Sequence, residues 1–175
     1  MNIHSFFSRY CHFPVSCVAA IALVALSSSG RAFDGDIHKA ARDGDVATVK
    51  ALLEANPNLV NAKGSNDKTP LHYAAAAGHA DVVALLLAYK ADVHARDYSE
   101  VDWDDTDAEG RPAHVPDKTP LHIAAEEGQK DIVELLLANK ANVNAVDDRI
   151  ETPRLAADRT GHKDVAKLLR KHGGH

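Results

Sequence analysis

One short motif occurs three times along the chain, and its recurrence restricts the fold more than any other feature. The copies are Thr69-Pro70-Leu71-His72-Tyr73-Ala74-Ala75, Thr119-Pro120-Leu121-His122-Ile123-Ala124-Ala125 and Thr152-Pro153-Arg154-Leu155-Ala156-Ala157. A Gly stands nine residues after each Thr, and the last two of these glycines, Gly128 and Gly161, are 33 residues apart. A fixed period of this length is typical of repeat proteins, in which stacked units bury one continuous core.

A weaker copy precedes these three. Ile37-His38-Lys39-Ala40-Ala41 and Gly44 lie 34 residues before the corresponding residues of the next copy. At least about three units must stack before a core is buried, so four are sufficient for a stable fold. We therefore predict four units, which span about 35–68, 69–118, 119–151 and 152–175.

The repeated motif resembles the ankyrin repeat, and the resemblance covers about residues 35 to 175. It implies an all-α solenoid of helix-turn-helix units that are joined by β-turn fingers. It also implies that a protein partner binds to the fingertips and to the exposed, concave face of the first helices. The predicted ankyrin-repeat domain is 33–175.

The residues of the motif have a physical role in such a unit. Each Pro stands where a first helix would begin, where a missing N–H costs nothing, and the Thr before it can cap the helix. The resemblance implies that the motif histidine ties neighbouring turns together, rather than serving as a metal ligand or a base. The predicted structural residues are Thr69, Pro70, His72, Thr119, Pro120 and His122.

The second helix of each unit contains most of the large apolar side chains, as at 82–87 and 132–137. Terminal units of an array need a polar outer face. In the first unit Thr48 replaces a large aliphatic residue, and in the last unit Arg154 and Arg170 replace leucines. We therefore expect both arginines to be largely solvated.

Two lysines depart from the family pattern. Lys90 and Lys140 follow the second helix at a position where the family usually has Gly. A residue other than Gly in the left-handed conformation costs roughly 1 kcal/mol. We expect these two units to be less stable than they would be with Gly.

The array is interrupted once. Leu71 and Leu121 are 50 residues apart rather than 33, so a 17-residue insertion lies within 98–116, where it extends a finger. The insertion has six acidic residues and one Arg, for a net charge of −5, and it holds the only Trp of the chain, Trp103.

Three interpretations of the insertion remain open. The first is a solvent-exposed loop without a binding role, since a polar loop buries little apolar area. The second is a contact with a partner, since Trp is a typical interface anchor. The third is a calcium loop, because Asp105, Asp107 and Glu109 have the required spacing, although Pro116 stands where a bidentate Glu is needed.

Residues 1–32 resemble a secretory signal peptide. They contain no Asp or Glu, run through an apolar stretch at 15–26 and end in small residues, which favours cleavage after Gly30 or Ala32. An uncleaved membrane anchor is the alternative, but the run falls short of the ~20 residues that span a bilayer. Both cysteines lie in this leader. We therefore expect an exported protein, in a bacterial periplasm or secreted, with no further membrane segment.

Charge and motif content restrict the function. The formal charge of −5 becomes −7 without the leader, and an acidic domain is a poor ligand for nucleic acid. The chain has no nucleophile elbow, phosphate-binding loop or metalloprotease motif. The sequence therefore favours a monomeric, non-catalytic binding module that needs no cofactor and no metal.

The expected partner is a protein. The resemblance implies contacts from the fingers and the first helices, and the acidic insertion favours a basic patch on the partner. A secreted effector or a Ca²⁺-responsive protein acting through the insertion is the alternative function. The predicted contact residues are Tyr73, Trp103, Lys118, Ile123, Glu126, Glu127 and Arg149.

Overall fold

A computed structural model describes residues 32–98 and 117–175, with the backbone alone for 32–36. Residues 1–31 of the predicted leader, Trp103 and the calcium-like residues Asp105, Asp107 and Glu109 lie outside the described residues. Within the described part the chain forms eight α-helices: α1 (Ala32–Asp43), α2 (Val46–Ala55), α3 (Pro70–Ala77), α4 (Ala80–Ala88), α5 (Pro120–Glu126), α6 (Lys130–Ala138), α7 (Pro153–Thr160) and α8 (Lys163–Lys171). Short 3₁₀ turns at Pro57–Asn61 and Ser65–Asp67 connect the first two pairs.

The helices form two layers. The first helices α1, α3, α5 and α7 pack side by side in chain order, and α2, α4, α6 and α8 pack in the same order behind them. One apolar cluster runs between the layers from Ile37 to Leu169. The predicted all-α stack of helix-turn-helix units is confirmed. No helix in the described ranges is both long enough and apolar enough to cross a bilayer.

The repeated motif sets the start of each first helix. Pro70, Pro120 and Pro153 occupy the first helical turn, and the preceding Thr is the N-cap in each case. Alanines fully buried in α3 and α5 let these helices pack closely. After α3 the chain reverses through Gly78 at a φ of 80°, a conformation that favours Gly.

The last unit corrects one prediction. Arg170 is exposed, as expected, but the Arg154 side chain is only 19 % exposed. A guanidinium nitrogen of Arg154 lies 2.6 Å from a carboxylate oxygen of Asp158, one helical turn away. The long apolar stem of an Arg can cover a surface while its charged end is paired, so the outer face of α7 is less polar than the sequence implies.

Lys90 and Lys140, which stand where the family usually has Gly, have the expected backbone geometry. Lys90 and Lys140 both have a φ of 67°, in the left-handed region. Each lies just after a second helix, and its amide donates to a carbonyl of the last turn, Leu87 and Leu137 respectively. The prediction of positive φ at both lysines is confirmed, so both carry a backbone cost that Gly would not.

Replacing Lys140 by Gly should raise the free energy of unfolding by about 1 kcal/mol, because Gly adopts this φ without a steric penalty. Urea denaturation followed by circular dichroism measures the change. Lys140→Ala is the matched control, since it removes the charge but keeps the strain. Equal stabilities of the Gly and Ala variants would contradict the prediction.

Each finger closes through hydrogen bonds at its base. In the last finger the Asp147 amide donates to the Glu151 carbonyl (3.1 Å), and the Glu151 amide donates back to an Asp147 carboxylate oxygen (2.8 Å). Asp97 and Lys118 form the same two bonds, at 3.0 and 2.6 Å. The closing residues are 4 positions apart in the last finger and 21 in the other, a difference of 17 residues.

Arg96 strengthens the base of the longer finger. Its guanidinium lies 2.6 Å from an Asp117 carboxylate oxygen and 3.0 Å from the Val146 carbonyl, which belongs to the next finger. Both ends of the insertion are therefore fixed to each other and to the neighbouring unit.

Deleting residues 99–115 should leave a folded chain, because it restores the separation of the closing residues to 4. The shorter connection should also add about 1.5 kcal/mol of stability, since each doubling of loop length costs about 0.6 kcal/mol. Thermal unfolding measures the effect. Deletion of 96–112 is the control: it has the same length but removes Arg96 and Asp97, and it should lower stability. An unfolded 99–115 variant would contradict the prediction.

Candidate functional site

The two motif histidines are buried at the bases of the fingers. The Thr69 amide donates to Nδ1 of His72 (3.1 Å), so the proton of the ring lies on Nε2, which donates to the Lys118 carbonyl (3.2 Å). His122 repeats this arrangement with the Glu151 carbonyl as acceptor (3.1 Å). Both rings are at most 1 % exposed. They join α3 and α5 to the fingers that follow these helices and are closed to a substrate.

Burial keeps both rings neutral. It lowers the pKa of His72 to about 4 and also lowers the pKa of His122. A second ring proton would face the Thr69 amide instead of accepting from it, so protonation of His72 would break this bond.

Stability should fall as the pH is lowered from about 6.5 to about 4, because protons then bind His72 in the unfolded chain but not in the folded one. At pH 4, His72 should lower the free energy of unfolding by about 3 kcal/mol. Above pH ~6.5 the free energy of unfolding should no longer depend on pH through this residue. Denaturant unfolding at a series of pH values measures it. His72→Gln should flatten the curve, whereas His94→Gln, at an exposed histidine, should not. A curve unchanged by His72→Gln would rule out this assignment.

A cleft of about 230 Å³ lies between α3 and α5. Tyr73, Ala76 and Ile123 supply its apolar surface, and charged residues surround them. Five of the predicted contact residues line this one cleft: Tyr73, Lys118, Ile123, Glu126 and Glu127. The arrangement can hold a side chain of a partner, but it offers no nucleophile with an adjacent base.

Tyr73 has a fixed position in the cleft. Its hydroxyl donates to the Ser65 carbonyl (3.4 Å), and its ring meets the His38 ring edge-on, with 5.4 Å between centroids. The finger therefore holds one end of the side chain and α1 supports the ring. A half-buried, oriented aromatic ring is well suited to bind a partner group at low entropic cost.

Ile123 differs from the expectation of an accessible apolar side chain. It is only 8 % exposed. Helix α5 packs between α3 and α7, which covers the short branched side chain, whereas Tyr73 on α3 stays half-buried. Ile123 therefore contributes to the floor of the cleft rather than to an exposed anchor.

Ion pairs connect the cleft to the last unit. Glu126 pairs with Lys118 and with Arg159 (2.9 Å), and Arg159 also pairs with Glu151 (2.9 Å). Burial opposes ionisation of Glu126, but the two cationic neighbours outweigh it and hold its pKa below the usual value. Lys118 and Glu126 are therefore already partnered in the free protein.

Glu127 is the exposed acidic residue of the cleft whose carboxylate can pair with a group of a partner. It is exposed, and it forms no ion pair with any residue in the described ranges. Arg149 is also exposed, but it lies on the last finger and lines a separate hollow. Of the seven predicted contacts, five thus share the cleft, Arg149 lies apart, and Trp103 lies outside the described residues.

Sequence reasoning missed Asp97 and Arg159. Asp97 is 6 % exposed, and burial raises its pKa, although the Lys118 amide and nearby lysines oppose this. Arg159 stands 33 residues after Glu126, the repeat period, so opposite charges at equivalent positions could have revealed this pair. Across 32–98 and 117–175, no three His, Cys, Asp or Glu side chains are grouped to hold a metal ion.

Comparison with family models gives two matches. A model described as ankyrin repeats (3 copies) matches residues 36–97, and one described as ankyrin repeat matches residues 117–148. Together they cover more than half of the chain. They leave out 98–116, which contains the insertion, and the last helical pair.

Several curated proteins are similar over part of the chain. E3 ubiquitin-protein ligase XBAT32 of Arabidopsis thaliana is 39 % identical over 79 residues (45 % of this chain, 16 % of the ligase). Serine/threonine-protein kinase VIK of the same plant is 45 % identical over 73 residues (40 % and 16 %). Ankyrin repeat domain-containing protein 49 of Homo sapiens is 45 % identical over 56 residues (32 % and 23 %). The matches thus span less than a quarter of each relative.

Proposed function

The chain belongs to the ankyrin-repeat family, and we propose that it is a non-catalytic module that binds a protein partner in the cleft between α3 and α5. Ankyrin repeats imply protein–protein interaction, and the ligase and the kinase are matched over only 16 % of their length. Their catalytic activities therefore give no reason to propose an enzyme here.

The observation that carries this proposal is the grouping of Tyr73 and Glu127 around one cleft. The cleft joins an oriented aromatic ring to a carboxylate that forms no ion pair with another described residue. An Arg or Lys side chain fits both features, because a cation is attracted by the face of a Tyr ring and by a carboxylate. The partner therefore presents a basic residue to this cleft.

The insertion supports the same choice of partner. Its net charge of −5 lies on a finger whose base, at Lys118, lines the cleft. Negative charge on a binding module raises the rate of its association with a basic surface and makes that rate sensitive to salt.

The test is capture of proteins from the native source on the full chain, followed by the same capture on variants. Glu127→Ala should lower the affinity for the captured protein by about two- to fivefold, since an exposed ion pair contributes up to about 1 kcal/mol. Added salt should weaken the wild-type complex more than the Glu127→Ala complex.

Glu134→Ala is the matched control, because Glu134 is exposed in the same unit but lies on α6, in the other layer. It should bind as the wild type does. Equal affinities of the Glu127→Ala, Tyr73→Ala and wild-type chains would contradict the proposal. Loss of binding only on deletion of 99–115 would move the site to the insertion.

The proposal includes export, because residues 1–32 have the charge and hydropathy pattern of a leader. The protein recovered from the periplasmic or extracellular fraction should begin at Arg31 or Phe33. Intact-mass measurement tests this, and recovery of a chain that still begins at Met1 would contradict it.

A further inference from the structure

The tip of the last finger carries a residue that is both strained and exposed. Ile150 has a φ of 60° and is 78 % exposed. A β-branched side chain in the left-handed region is a genuine outlier, because its Cβ substituents crowd the backbone. At this exposure the side chain recovers little of the cost through packing in the free protein.

The first finger shows what this position normally requires. Lys68 and Glu151 each precede the Thr that caps a first helix, so Asp67 corresponds to Ile150. Asp67 has a φ of 53°, and the two fingers close through equivalent backbone bonds, from Gly64 to Lys68 and from Asp147 to Glu151. In both fingers the residue before the acceptor thus has a positive φ, although the preceding residue is left-handed at Asn66 (59°) and not at Arg149. Asp tolerates a positive φ far better than Ile does.

A second apolar side chain lies beside Ile150. Leu155 is 40 % exposed and stands where the other units have the buried histidine. Both residues line an open hollow of about 570 Å³, together with charged side chains of the finger and of α7. The hollow thus has two accessible aliphatic side chains, one of which is held there against its backbone preference.

One of the surrounding charges is available to a ligand. Arg159 pairs with Glu151, and Asp158 pairs with Arg154. Arg149 also lines the hollow and is exposed, and it forms no ion pair with a residue of the described segments. The charged group that can bind a ligand beside the two aliphatic side chains is therefore the Arg149 guanidinium, which is positive.

We propose that Ile150, Leu155 and Arg149 form a second docking point, which takes a large apolar side chain of a protein partner together with an adjacent carboxylate. The apolar group packs on the two aliphatic side chains, and the guanidinium donates charge-assisted hydrogen bonds to the carboxylate. Strain that persists at an exposed position is typical of a binding site. This docking point rests on the proposed function only in treating the chain as a binding module.

The test selects a phage-displayed library of random peptides on the full chain and then measures the affinity of the selected peptides. Peptides with a large apolar residue next to Asp or Glu should emerge. Ile150→Asn should weaken their binding about tenfold, as expected for an interface anchor. The same substitution should raise the denaturation midpoint, because Asn tolerates a positive φ. Weaker binding by a more stable protein excludes unfolding as the cause.

Arg149→Ala should weaken binding and reduce its salt dependence. Val46→Asn is the control, since Val46 is 37 % exposed but lies on α2 at the other end of the array. Glu127→Ala should leave these peptides unaffected, which separates this docking point from the cleft.

Three results would overturn the proposal. The first is that no selected peptide is sensitive to Ile150→Asn. The second is that peptides are selected only by the chain lacking 99–115, which would make the insertion the occupant. The third is that sedimentation shows a dimer that Ile150→Asn dissociates, which would make a second copy the occupant.

Discussion

A single carbonyl at the base of each of two fingers determines how the units of this protein are joined. The Lys118 carbonyl accepts hydrogen bonds from the Asp97 amide and from the buried His72 ring, and the Glu151 carbonyl is used in the same way by Asp147 and His122. Each acceptor thus connects a finger to itself and to the preceding first helix. Because the residues that donate these bonds are buried, leaving any of the donors unpaired would be costly.

This arrangement explains how the array accommodates an insertion. The bonds constrain only the residues at the base of the finger. The number of residues between Asp97 and Lys118 therefore does not affect the packing of α3 against α5. Loop-closure entropy rises slowly with length, so the 17 added residues cost only about 1.5 kcal/mol of stability. Arg96 offsets part of this cost through its bonds to Asp117 and Val146.

The repeated motif predicted the helix starts, and the resemblance to the ankyrin repeat predicted the layers and the backbone of Lys90 and Lys140, because these features depend on local geometry and on the period. Exposure was harder to predict. The covering of Arg154 and of Ile123 depends on how far a side chain reaches beyond its neighbours, which the pattern does not contain. The positive φ of Ile150 was missed for a related reason, since the turn imposes it and the residue itself disfavours it.

The site was predicted in part for similar reasons. Exposed positions of the first helices and finger bases were identified by register, so most of the predicted contacts share one cleft. Which charges remain available depends on pairing in three dimensions. Glu126 is neutralised by Lys118 and Arg159, whereas Glu127, its neighbour in sequence, is not paired within the described residues.

The ion pair between Glu126 and Arg159 also shows that the third and fourth units differ in charge at one equivalent position. The two residues occupy equivalent positions in successive units, so the third unit is acidic where the fourth is basic. A duplicated third unit would place two carboxylates opposite each other, and like charges in contact repel. The charges at this position therefore favour the present order of the third and fourth units, and a second copy of the third unit would cost stability unless one of the two carboxylates were replaced.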